Sequence, residues 1–444
     1  MAKQRKKSPP KRPASAARKT PAGKKLRIAL LGFGTVGRSV AKILTQDADG
    51  PLQLTHIYNR NVARKKVDWV PSNVRWTENV DEVLTSNADV IVELVGGVDP
   101  AGAWVRKALE SGKSVVTANK LLIAAHGTQL FELAQKKGHR LEFGASVAGG
   151  IPAIIGIEEG LAGDRLSKIT GILNGTCNYI LTQMEAQGTD FSVALKEAQA
   201  LGYAEADPSG DVEGYDARAK LVILTQVGLR MKVRSDQVNC WPISTVESVD
   251  FHYASELDCT IRQISMAEKD AANSSHLFAA VRPALIPLSS LLAHVQGSQN
   301  MVIATGEFVG NIVLAGFGAG GDPTAVAVVS DLYAILRTGG VPPTGKDSKI
   351  EVPQSVSAEL TVPHYLRLVV RDRPGIVAEV AAVLSKHHIG IDALLQKPGY
   401  THTALPFTLT LEACSSAVLE RALTEIAALD FHVVPPFCLP ILPA

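Results

Sequence analysis

LRIALLGFGTVG, residues 26–37, joins a short apolar run to a G-x-G-x-x-G turn and decides how the first third of the chain folds. A run at 26–33 that is almost wholly apolar and reaches glycine at Gly32 is the pattern of a strand buried in a parallel sheet. A helix is expected next, over 36–44. Between a strand and a helix the three glycines have separate tasks: a tight turn, close approach of backbone to a pyrophosphate, and close packing of helix on strand. The pyrophosphate would lie at the helix N-terminus, where unpaired N–H groups and the dipole favour an anion. Gly32, Phe33, Gly34, Thr35, Val36 and Gly37 are therefore candidate cofactor contacts.

Outward from this turn, strand-like segments (52–58, 88–95, 114–117, 140–143) alternate with helix-like ones (100–110, 121–137). That alternation predicts βαβ units and a doubly wound, Rossmann-like parallel sheet. The second strand ends Tyr58-Asn59-Arg60, followed by Arg64, Lys65 and Lys66, with no carboxylate where an NAD site holds the ribose hydroxyl. A guanidinium at Arg60 suits a 2′-phosphate, so NADP is the expected cofactor and NAD the alternative. An exposed basic loop with no ligand would leave the same residues.

At 444 residues the chain is too long for one core. Its five cysteines are scattered without a C-x-x-C pair, which argues against a zinc site or a disulfide framework and for a reducing, cytoplasmic setting. The longest uncharged run, 283–306, is broken by proline, histidine and amides and is no membrane span. The first 25 residues hold ten Lys/Arg and no acid, so the remaining body is acidic. This basic tail is expected to be disordered, and a nucleic-acid role for it is not expected.

The organisation expected is a tail at 1–25, a dinucleotide domain at 26–150 with 319–338 packing back on it, an α+β substrate and dimerisation domain at 151–318, a Gly/Pro-rich linker at 339–360, and a small module at 361–444. Within the second domain, LGYAEADPSGDVEGYDARAK (201–220) gathers five carboxylates ahead of one basic couple. Asp216 and Lys220 stand four apart and share a helix face. Acids converging on a lysine can bind an ammonium group and move a proton, although a surface ion pair has the same spacing.

VVTANK (115–120), SVAGGIP (146–152), GILNGTCNYIL (171–181), LGYAEADP (201–208) and DVEGYDARAK (211–220) together resemble homoserine dehydrogenase, from 26 to about 337. LRLVVRDRPGI (366–376), with IGI at 389–391 and Gln396, resembles an ACT regulatory domain, a βαββαβ ferredoxin-like unit. The resemblance implies the monofunctional enzyme, a homodimer or homotetramer, reducing aspartate 4-semialdehyde to homoserine with NAD(P)H, and threonine as effector at the ACT unit. A unit that only dimerises is the rival. The resemblance also implies Lys220 as proton donor, Lys120 as a second catalytic or substrate-contacting lysine, and Glu205 and Asp216 as substrate contacts. Asp211 is either a third contact or a helix cap. Gly202 and Gly320 match cofactor-contacting glycines. In the family a glutamate with backbone carbonyls holds a monovalent cation. Here that position is Gly144, leaving the carbonyls of Val147, Gly149 and Ile151 for Na⁺ or K⁺, with Glu142 or water in the missing role. Another dehydrogenase of small amino-acid aldehydes or keto acids, or a non-catalytic amino-acid sensor, would share the fold.

Overall fold

The computed structural model describes residues 25–47, 49–273, 275–341 and 350–443; the basic tail, apart from Lys25, lies outside them. Six parallel strands form the first sheet: β1 Leu26–Leu31, β2 Leu52–Tyr58, β3 Arg75–Thr77, β4 Val90–Glu93, β5 Ser114–Thr117 and β6 Leu141–Glu142. Their order, β3-β2-β1-β4-β5-β6, reverses direction between β1 and β4. In such a sheet the crevice at that reversal, outside the strands' carboxyl ends, is where a ligand binds. The strands are legible as runs because both faces are covered: every residue of β4 and β5 is buried.

One covering helix comes from far along the chain. Gly321–Thr338 lays Ala325, Val328, Leu332 and Ile335 against Ile28, Leu30, Val90 and Val92. Its start abuts the first helix, Thr35–Gln46: a Cβ on Gly321 would lie 2.9 Å from Thr35 Cγ2, and Ser39 Oγ donates to Asp322 Oδ1 at 2.6 Å.

The second sheet is mixed. It contains β7 Leu166–Ile172, β8 Asn239–Cys240, β9 Cys259–Lys269, β10 His276–Pro287, β11 Gln299–Gly306, β12 Gly310–Phe317 and β13 Ser355–Ser357, in the order β12-β11-β7-β9-β10-β13 with β8 also on β10. Here the stretch read as linker needs correction. Residues 342–349 lie outside the described part, but β13 pairs with β10 and Glu351 exchanges backbone hydrogen bonds with Arg230 and Lys232. The alternating PQSVSA segment has the period-2 pattern of an edge strand and completes the sheet.

The C-terminal unit is βαββαβ: β14 Thr361–Val370, helix Ile376–Lys386, β15 Ile391–Leu395, β16 Leu405–Ser415, helix Ser416–Ala427 and β17 His432–Pro440. Its antiparallel sheet runs β15-β16-β14-β17, the ferredoxin-like order. It docks on helix Ser248–Glu256 of the middle domain through fully buried Asp250, which accepts from Tyr365 Oη at 2.7 Å and pairs with Arg367 Nε at 2.8 Å. Tyr253 Oη donates to the Pro406 carbonyl at 2.9 Å beside them.

Candidate active site

The glycine turn is built so that two glycines pack and one is left open. Gly32 has φ of +107°, and a Cβ there would lie 2.9 Å from the Leu94 carbonyl; at Gly37 it would lie 2.3 Å from the Gly32 carbonyl. Gly34 caps helix Thr35–Gln46 with no side-chain hydrogen bond, and a Cβ on it would meet nothing within 4 Å. The helix start is thus open at Gly34 and has no side-chain cap for its first N–H groups, which fits a dinucleotide pyrophosphate. Phe33 is fully buried, its ring 4.8 Å from that of Trp76, so only its backbone can serve a ligand. Thr35 is exposed, whereas Val36 packs on the core. Gly320, with φ of +118°, begins the returning helix and so lies beside the turn. Arg60 is exposed two residues beyond β2 and has no ion pair among the described residues.

At the carboxyl ends of β4 and β5 a buried network sets the loops. Glu93 accepts from the Val95 and Gly96 N–H groups at 2.7 and 3.0 Å and from Thr117 Oγ1 at 2.7 Å. Asn119 caps helix Lys120–Lys137 by accepting the Leu122 N–H, and its amide donates to the Gly97 carbonyl at 2.6 Å. Lys120, the first residue of that helix, is thereby held at the crevice.

Lys120 meets the acid-rich stretch. Asp216 pairs with Lys120 through Oδ1 and with Lys220 Nζ through Oδ2 at 2.6 Å. Lys220 also donates to the Leu173 carbonyl at 2.7 Å, and its side chain is 9 % exposed. Burial works against the Asp216 carboxylate, yet the two lysines outweigh it and hold its pKa far below the usual range. Burial likewise works against the Lys120 ammonium, but Asp216, then Asp211 and Glu205, raise its pKa. Asp211 points at the same cluster and does not cap the long helix Tyr215–Gly228, whose cap is Gly214 at φ of 83°. Burial pushes the Asp211 carboxyl up, and the neighbouring Asp216 adds to this. Glu205 is exposed at the rim. Gly202 lies in the turn before it, at φ of +76°, beside Tyr203, whose carbonyl accepts from Thr176 Oγ1 at 2.8 Å.

One member of the cluster is absent from the sequence-derived set. Asn174, at the start of helix Gly175–Gln187, donates from its amide to Asp211 Oδ1 at 2.7 Å and to Asp216 Oδ2 at 2.9 Å. Its place in GILNGTCNYIL, next to Leu173, was the available signal.

At the loop expected to hold a monovalent cation, the carboxylate beside Gly144 comes from Asp331 on the returning helix. The Gly144 N–H donates to Asp331 Oδ2 at 2.9 Å, the Ile151 carbonyl accepts from Ala153, and Glu142 is paired with Arg140. Among the described residues no group of three or more His, Cys, Asp or Glu could hold a metal ion.

Comparison with known proteins identifies the family. Residues 32–144 match the family model for the homoserine dehydrogenase NAD-binding domain, 152–333 that for homoserine dehydrogenase, and 364–431 that for the ACT domain. The chain is 35% identical over 431 residues to homoserine dehydrogenase of Corynebacterium glutamicum, covering 92% of this chain and 96% of that one. It is 36% identical over 392 residues to the Bacillus subtilis enzyme, covering 86% and 90%. The crystal structure of a homoserine dehydrogenase from Thiobacillus denitrificans superposes with a TM-score of 0.83 at 33% identity, over 94% of this chain and 98% of that one. A hyperthermophilic archaeal homoserine dehydrogenase in complex with NADPH superposes with a TM-score of 0.61 at 25% identity, over 71% and 98%.

Proposed function

The chain belongs to the homoserine dehydrogenase family, and from that premise we propose that it interconverts aspartate 4-semialdehyde and homoserine with NADP(H) preferred, under threonine control. The observation that carries the site assignment is Asp216 bridging buried Lys220 to Lys120, the first residue of the helix that follows β5. The nicotinamide supplies the hydride when bound. The chain's part is to bind the amino acid and to manage the oxygen. Hydride arrival at the aldehyde carbon leaves an alkoxide, which needs a proton and a cation beside it. Lys220, anchored by Asp216 and the Leu173 carbonyl, is the donor, and Lys120 supports the charge. Asp211, Asp216 and Glu205 face the substrate ammonium. Replacing Lys220 with Ala should remove most of kcat in NADPH oxidation with aspartate semialdehyde while the fold is kept; a near-normal rate would overturn this assignment.

The cofactor preference is supported by exposed Arg60 and by the lack of a carboxylate after β2. Higher kcat/KM with NADH than with NADPH would reverse it. Given Gly144 and the engaged Glu142, monovalent-cation binding should be weak, and activity indifferent to added Na⁺ or K⁺ would support its loss. For regulation, the β14–helix turn forms a cavity lined by Asp372, Arg373, Gly375, Ile376 and Gln396. Helix Ile376–Lys386 starts there without a side-chain cap, so its N–H groups can take the carboxylate of an amino acid. No heat with threonine in calorimetry, together with no inhibition, would favour a unit that only dimerises.

A further inference from the structure

Asn174 is 3% exposed, and each of its side-chain polar atoms has a fixed partner. Its Oδ1 accepts the Cys177 N–H at 2.7 Å, capping helix Gly175–Gln187. That bond settles the amide's orientation, because a backbone N–H can face only the oxygen. Both amide hydrogens must then point at carboxylates, and they do: one at Asp211 and one at Asp216. The next residue back completes the grip, since the Leu173 carbonyl holds Lys220. Two successive residues at the end of one strand therefore hold the lysine, its carboxylate and the second acid.

The chemistry of an amide suits this position. Two carboxylates near one another repel, and a neutral group with two hydrogens can hold both without adding charge. A lysine there would cancel the field meant for a substrate ammonium, and an aspartate would add a third negative charge. Asp216 Oδ2 also has two donors, Asn174 and Lys220, leaving Oδ1 for Lys120.

We infer that Asn174 is a positioning residue of the reaction: it aims the Asp211 carboxylate at the substrate ammonium, and fixes which oxygen of Asp216 receives Lys220. This rests on the reading of Asp211 and Asp216 as substrate carboxylates. The direction of the Asp211 shift is in keeping: burial raises its pKa, and the Asn174 amide is the first influence that opposes it.

The test uses Asn174→Ser and Asn174→Asp. Both keep an oxygen that can cap the helix, so the cap survives while the paired donors are lost. Aspartate semialdehyde reduction is followed by NADPH oxidation across pH, with Asp211→Asn and Lys220→Ala alongside. Both Asn174 variants should lose about 10- to 100-fold in kcat/KM, the worth of one or two hydrogen bonds to a charged group, mostly through KM. The acid limb of kcat/KM should move to higher pH, because a carboxylate that has lost a donor holds its proton longer. Should the serine variant fail to fold, the aspartate variant carries the test. An unmoved acid limb with kcat/KM within about twofold of the parent, while Asp211→Asn is impaired, would leave Asn174 a helix cap and nothing more. If Asp211→Asn and Lys220→Ala are themselves near normal, the reading of the whole cluster falls, and this inference falls with it.

Discussion

Stability and catalysis should rank Asp216 and Lys220 in opposite orders. Asp216 is the carboxylate for two lysines, and the Lys220 side chain is 9% exposed with the Leu173 carbonyl as its other partner among the described residues. Asp216→Asn leaves a buried ammonium without its counter-charge, a loss of about 3–5 kcal/mol. Lys220→Met keeps the volume and leaves Asp216 with Lys120 and Asn174, so its main cost is the orphaned Leu173 carbonyl, about 1–3 kcal/mol. The double variant no longer holds a buried charge at position 220. Lys120, with a side chain 38% exposed, is left to water. The double variant should therefore be more stable than Asp216→Asn alone, with a coupling energy of about 2–3 kcal/mol. Urea unfolding followed by circular dichroism on the four proteins, near neutral pH, measures this cycle. Since Asp216 ionises far below the usual range in the folded state, its stabilisation persists above the ordinary aspartate pKa and disappears only as the pH falls through the folded value. In turnover the order inverts, with Lys220→Met losing about 10²–10⁴ in kcat. Additive stability changes, or a double variant weaker than either single one, would refute the reasoning.

Gly32→Ala should destabilise the nucleotide domain, its Cβ being driven against the Leu94 carbonyl, while Gly34→Ala should fold normally and raise the KM for NADPH; thermal melts and coenzyme titrations separate the two. Arg60→Ala should raise the NADPH KM by about tenfold and leave NADH nearly untouched, the loss of one charge-assisted contact; equal effects on both coenzymes would remove the 2′-phosphate role. Glu158 is pushed up to about 7, chiefly by burial and then by Glu142. Its ionisation therefore opposes folding, a penalty absent below the ordinary glutamate value of 4.5 and complete above about 7. Glu158→Gln should thus stabilise at pH 8 by at most about 3 kcal/mol and have no effect near pH 4, as melts at the two pH values will show. Asp250→Asn should loosen the C-terminal unit by about 1.5–3 kcal/mol, the worth of a charge-assisted bond, because Arg367 keeps Glu247 at 2.8 Å, and limited proteolysis should then release that unit faster.

Much of the fold was legible because β2, LQLTHIY, opens with apolar residues at alternate positions and β5, SVVT, is short and β-branched after its serine; the bounds read from the sequence match both strands residue for residue. By contrast, β3 is three residues long and offers no pattern. The strand β9, CTIRQISMAEK, carries Arg262, Gln263 and Ser265 on positions that are wholly buried, so neither alternation nor an apolar run marks it. In β17 Pro435 and Pro436 read as loop; an edge strand tolerates them, since one side of its ladder is unpaired. Within the site, Asp216 and Lys220 were visible through helical spacing. Asn174 was not, because its two acids lie 37 and 42 residues further on and only the folded chain brings them together.

The returning helix Gly321–Thr338 has a consequence for how the protein is born. The last strand of the nucleotide sheet is finished at Glu142, yet the helix that covers Ile28, Leu30 and Val92 ends only at Thr338. At about 5–20 residues per second, the growing chain carries an open apolar face for about 10–40 s before its cover leaves the ribosome. The nucleotide domain is therefore an obligatory late finisher: the second domain is synthesised while the first waits, and a nascent-chain chaperone has its natural target on that face.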